Sequence, residues 1–295
     1  VPVYSCPYPG IRVNSSFSLQ KGVPMLTVAG NALLGVLFTL LLGMTDTASW
    51  GWSVFWGVIV FVAGQALAGY LIQRRVKSGM EAIQKILLDG QKRLQAKVNQ
   101  WQNRPPGSLK QAQIEIEREQ RVFVERALEA SKGLERFKLW APLMGRQINT
   151  LRLQFYWMLK EFKQVDALLP NALFLDPMMA AVKLARMHMK DETEGMERFF
   201  RKQTRRLRYG QGALLYGLYA WILVRQQDPD AAHKVLIEAC EKMENETLKK
   251  NREHLANNRI DLFSNAGLGD EWYALHLEQP KVKMQRQQRF SGRPF

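Results

Sequence analysis

Few side chains in this sequence are able to do chemistry, and they are scattered. The four histidines are His188, His233, His254 and His276; the two cysteines are Cys6 and Cys240. His233 and Cys240 fall in one expected helix, seven residues apart, which is about 10 Å along its axis. A nucleophile and its base must lie within hydrogen-bond reach, so the pair reads as a surface histidine and a core cysteine. Met187, His188 and Met189, with Met178 and Met179 upstream, carry the soft donors that favour copper(I). Adjacent helix residues point in different directions, however, and methionine is a common core filler, so core packing is the simpler reading. No phosphate loop, dinucleotide fingerprint or metalloprotease motif occurs, and two cysteines make neither a disulfide framework nor a zinc pattern. The sequence therefore assigns no catalytic residue, no metal ligand and no cofactor, and a non-enzymatic protein is expected.

The densest charged feature is a basic cluster, Arg201, Lys202, Arg205, Arg206 and Arg208. On a helix, 201, 205 and 208 share one face, with 202 beside it. Such a face is either simply solvated or a partner-binding surface for an acidic protein or lipid headgroups. Nucleic acid is a poorer fit, because Tyr209 is the only aromatic beside the cluster and stacking platforms need more.

The elements that carry these residues hang from an apolar anchor. Met25–Met44 and Trp50–Ile72 are two uncharged runs separated by Thr45–Ser49. About 20 apolar residues cross a bilayer core, and spanning segments must satisfy their own backbone hydrogen bonds, so both runs are expected as helices of a transmembrane hairpin. The mean hydropathy of the chain is still negative, −0.25, so the remainder is strongly hydrophilic. Net charge is +15 with a pI near 9.9, which for a membrane protein points first to the membrane surface. The first run is longer than a signal-peptide core and follows a long polar segment, so it is expected to be retained. Residues 1–24 form an expected irregular arm, rich in proline and glycine. Arg12 and Lys21 precede the first run, and Arg74, Arg75 and Lys77 follow the second. Positive flanks stay on the cytoplasmic side, so an integral membrane protein with both termini cytoplasmic is expected. Trp50, Trp52 and Trp56 suit an interfacial belt near the turn. Gly57, Gly64 and Ala68 allow close helix approach, and Asn31 and Gln65 are placed to hydrogen-bond across the pair.

From Gln73 the pattern turns amphipathic. Met80, Leu87, Leu94 and Trp101 recur every seven residues, with Ile83 between the first two. Paired prolines at 105 and 106 break this helix, and Ser108 is a cap candidate for the next. There Leu109, Ala112, Ile116, Phe123, Ala127, Ala130, Leu134 and Phe137 form a second seam of heptad type. Residues 73–140 are therefore expected as an antiparallel helical arm, about 45 Å long, with Gly90 weakening the first seam. Trp140 to Pro142 marks a boundary. From Leu143 onward, breaks at Asp176-Pro177, Lys190–Glu192, Tyr209–Gly212 and Gln227–Pro229 divide the chain into short amphipathic helices.

Two stretches in this region resemble tetratricopeptide repeats. In RQQDPDAAHKVLIEA, Ala232, Leu236 and Ala239 match the small and bulky places of a second repeat helix, and Tyr216, Tyr219, Ala220 and Leu223 match the first. In KEFKQVDALLPNALFLDP, Phe162, Val165, Leu169 and Ala172 repeat the spacing and Pro177 matches the closing proline; Pro170 departs from it and would kink the helix. The intervening repeat, with MERFFRKQTRRLRYG as its second helix, lacks the expected small residue. The resemblance covers about 110 residues and implies, for the domain at 143–262, an all-α, TPR-like α-solenoid whose curved face binds protein. Residues 263–295 are expected as a basic, mostly disordered tail, with EWYALHL at 271–277 as a last short helix or docking strand. Taken together, an all-α membrane-anchored adaptor or scaffold is expected, binding a protein partner through the helical array and touching membrane lipids through the hairpin and the tail. The alternative is a structural subunit of a larger membrane complex with the hairpin as its interface.

Overall fold

The computed structural model describes residues 25–44, 50–103, 108–138 and 142–279; the N-terminal arm, the turn at 45–49, the boundary at Trp140 and the tail from Pro280 lie outside them. The described residues are all helical, with no strand among them. In chain order the helices are α1 (Met25–Met44), α2 (Trp50–Asn103), α3 (Leu109–Lys132), α4 (Pro142–Met158), α5 (Phe162–Leu168) and α6 (Pro177–Met189). Then come α7 (Met196–Thr204), α8 (Ala213–Arg225), α9 (Pro229–Lys242), α10 (Glu246–Ala256) and a single turn, α11 (Asp270–Tyr273). They fall into two compact units. One holds the described residues up to Gln91 with Ile116–Leu173; the other holds Lys92–Glu115 with the described residues from Phe174 onward.

α2 is one uninterrupted helix of 54 residues, about 80 Å long at 1.5 Å per residue. The second apolar run and the first amphipathic seam are thus the same helix. It is the one helix among the described residues that is long and apolar enough to cross a membrane; the apolar stretch of α1, Val28–Met44, is shorter. Near its start α2 turns large apolar side chains outward, among them Trp52, Val54, Phe55, Val58 and Val62. Where α1 meets it, both chains are stripped to small groups. A Cβ on Gly57 would lie 1.9 Å from the Thr39 Oγ1 and 3.0 Å from the Gly35 carbonyl. Asn31 Nδ2 donates to Gln65 Oε1 at 2.7 Å, giving two amides in an apolar setting a partner each.

Further along, the seam residues Val76, Met80, Ile83 and Leu87 of α2 are buried, as are Phe123, Val124, Ala127 and Leu134 opposite them. Leu134 stands over Gly79 and Phe123 over Gly90. Gly90 is therefore a seat for a ring rather than a weak point in the seam. In the other unit Leu94, Val98, Trp101 and Ala112 continue the buried stripe, and Lys97 pairs with Glu115 at 2.7 Å. Ser108 caps α3, accepting from the Gln111 N–H at 3.1 Å.

α4 and α5 pack with the α3 side. Arg152 donates through Nε to the Ser131 hydroxyl at 3.0 Å and pairs with Glu135, tying α4 to the end of α3 and the turn after it. The kink expected at Pro170 is instead a helix end. α5 stops at Leu168, Leu169 enters a 3₁₀ turn, and Ala172 is extended with φ −91° and ψ 160°. Proline cannot donate the next helical hydrogen bond, and the Thr150 hydroxyl captures Leu173 instead, accepting from its N–H at 2.7 Å. Leu169 and Ala172 thus do not sit in a repeat helix, whereas Val165 is fully buried in α5.

The second unit is built around α8. Leu214 to Ile222 are buried without interruption, the mark of a helix enclosed on all sides. α6, α9 and α11 pack on it, and α10 packs on α9. Ala220, Ala232, Leu236 and Ala239 are completely buried, small residues letting backbones approach and Leu236 filling the gap. Pro177 opens α6 and Pro229 opens α9, where the Asp228 carboxylate caps the helix by accepting from the Ala231 N–H at 2.9 Å. The chain after α10 then folds back. Buried Asn265 donates to the Gly217 carbonyl of α8 at 2.8 Å and accepts from Asn251 at 3.0 Å.

Candidate functional site on a basic helix

Inward-facing Met196, Phe200, Gln203 and Thr204 of α7 are buried. Phe200 stacks on Tyr219 with ring centroids 4.2 Å apart and meets Tyr216 edge-on at 5.3 Å. Burying one such ring contributes on the order of 2–3 kcal/mol, so α7 is held firmly.

A polar network fixes its rotation. Arg201 pairs with Glu238 of α9 at 2.5 Å and with Glu197 at 3.6 Å. The other Glu238 oxygen accepts from the Tyr216 hydroxyl at 3.0 Å and from Lys242 at 2.7 Å. Burial alone would push the Glu238 carboxyl up, but the hydrogen bonds from Lys242 and Tyr216 and the charges of Lys242 and Arg201 outweigh it and hold it below the usual carboxylate range. The hydrogen bond to Glu238 in turn raises Lys242. Arg201 is thus a structural cation, answered by Glu238 from inside the fold.

The outward face is different. Arg198, Arg201, Lys202, Arg205 and Arg206 line a shallow open depression of about 350 Å³. Among the described residues Arg198, Lys202, Arg205 and Arg206 are exposed and meet no carboxylate at ion-pair distance. Arg198 and Lys202, Arg201 and Arg205, and Lys202 and Arg206 are like-charged neighbours four residues apart, each such pair destabilising by roughly 0.2–0.5 kcal/mol. A sixth cation stands behind them. Lys183 of α6 lies over the rings of Phe174 and Phe199 at 4.9 and 4.6 Å. Burial, and then the nearby charge of Lys202, hold its ammonium below the usual lysine range, with Glu192 opposing.

One member of the expected cluster is placed differently from a single helical face. α7 ends at Thr204, and the chain then turns through Gly210 and Gly212, with φ of +81° and +92°. Arg208 lies in that loop, exposed beside the exposed Tyr209. Arg198, absent from the expected cluster, lines the depression; its spacing of four from Lys202 was a readable signal. The pairing of Arg201 with Glu238 joins residues 37 apart in sequence and left no local trace.

The other candidates stay apart. His188 meets Trp221 edge-on at 5.3 Å, and the described residues contain no group of three His, Cys, Asp or Glu side chains placed for a metal. His233 and Cys240 are both partly exposed on α9. Comparison with known protein families, characterised proteins and solved structures finds no match for this chain.

Proposed function

We propose that this protein is a membrane-anchored, non-enzymatic adaptor. α1 and the start of α2 form a transmembrane hairpin with both chain termini on the cytoplasmic side. α2 continues out of the bilayer as one strut of an antiparallel arm, and α4–α10 act as a TPR-like helical array that binds an acidic protein partner. The supporting observation is the outward side of α7 and the turn that follows it: four uncompensated cations beside a helix whose other face is anchored in an aromatic core. A protein gains nothing in stability from crowding like charges, whereas an anionic partner relieves the repulsion and is steered to it. A photo-crosslinking residue in place of Lys202, in the full chain in its native membranes, captures a discrete protein on this reading, and the adduct is lost when Arg198 and Arg206 are changed to Glu. Capture from hairpin positions such as Val58, with none from position 202, replaces the adaptor by an assembly subunit that uses its membrane helices as the interface.

A further inference from the structure

We infer that the α7 depression receives an extended segment of the partner protein phosphorylated at alternate residues. This deepens the adaptor reading and rests on it. Arg198, Lys202 and Arg206 stand on successive turns, because the backbone continues past α7 with the Arg205 and Arg206 N–H groups donating to the Arg201 and Gln203 carbonyls at 3.3 and 3.0 Å. Four residues of helix advance about 6 Å. Same-side residues of an extended chain are about 7 Å apart. An extended peptide laid along α7 therefore brings every second side chain to the next rung of the cation ladder.

The charge count selects phosphate. With Arg201 answered by Glu238, four cations remain, Arg198, Lys202, Arg205 and Arg206. A phosphoserine or phosphothreonine carries about −1.5 to −2 at pH 7, so roughly two of them neutralise the ladder, each bridging two cations. A carboxylate would answer only one. Three of the four are arginines, whose planar forks match two phosphate oxygens at once. The site is a shallow, arginine-rich depression on a helix held by Phe200 and Glu238 rather than a lysine-rich surface, which favours a discrete segment over a lipid leaflet.

The test uses the full chain in phosphatidylcholine nanodiscs. The probe is a short fluorescent peptide with phosphoserine at alternate positions, compared with the same peptide carrying glutamate or serine there. The phosphopeptide is expected to bind at least tenfold more tightly than the glutamate peptide at pH 7.5. Its affinity falls as pH drops through about 6, where phosphate takes up its second proton. Arg198→Glu with Lys202→Glu abolishes the difference while leaving the melting curve close to that of the parent, both side chains being exposed; Lys249→Glu on α10 leaves binding unchanged. Equal affinity for the glutamate peptide, binding indifferent to the double variant, or preferential binding to phosphatidic-acid vesicles would each overturn the inference. The adaptor reading fails separately: a crosslinked partner whose capture survives phosphatase treatment retains the adaptor and removes the phosphate.

Discussion

Phe123 lies against the bare backbone of Gly90: a Cβ there would sit 2.4 Å from the ring's Cγ. The ring is buried and has a helix backbone in front of it, so neither can retreat cheaply. Gly90→Ala adds up to about 1 kcal/mol of helix preference, but overpacking costs about 1–3 kcal/mol. A lower melting temperature is expected by thermal unfolding in detergent, and Phe123→Leu in the same chain restores it. A Gly90→Ala protein that melts higher than the parent means the two helices do not approach this closely.

The Glu238 network makes a pH-dependent contribution. Its carboxyl is held below the usual range, so the stabilisation is fully present above the unfolded value, near 4.5, and is lost as pH falls through the folded value. Glu238→Gln should lower stability by about 1.5–3 kcal/mol at pH 7, the scale of a hydrogen bond to a charged group. The gap between variant and parent should close in acid. A gap that is constant from pH 7 to pH 3 means that Glu238 acts by shape alone.

The segment after α11 is fastened by one carboxylate. Glu278 accepts from the indole N–H of Trp221 and of Trp272, both at 2.9 Å, and the two rings meet edge-on at 5.6 Å. Glutamine in its place keeps one acceptor and turns its amide donors toward the second indole. Glu278→Gln is expected to cost about 1–3 kcal/mol and to red-shift tryptophan emission as the segment after α10 loosens. Unchanged emission and melting would show that this clamp does not hold the segment.

The sequence displayed those parts of this architecture that depend on local pattern. Met80, Ile83, Leu87, Leu94 and Trp101 are buried because their spacing places them on one helical stripe, and Asp228-Pro229 starts α9 because its cap and its proline are both local signals. The span of α2 hid the opposite way: a change from apolar to amphipathic composition at Gln73 is a change of surroundings, not of backbone, and the helix runs straight through. Pro170 was visible as a departure, but only Thr150, which holds the Leu173 N–H from 23 residues away, explains why the chain leaves the helix altogether. Polar residues that work at a distance were silent. Nothing about Asn251, Asn265 or Glu278 in isolation shows that each is turned toward a partner on another element, and Arg201 looked like its neighbours until Glu238 was seen opposite.

The adaptor reading puts α2 across the membrane with α7 on the cytoplasmic side, and side-specific thiol labelling tests that directly. In intact cells, a cysteine replacing Thr47 in a Cys6→Ser background should react with an impermeant maleimide added outside, while Cys240, partly exposed on α9, should react only after the membrane is opened. Labelling of Cys240 from outside with protection of position 47 would reverse the orientation, and the same outcome at both positions in intact cells, labelled or protected, would mean that α2 does not cross the membrane between them.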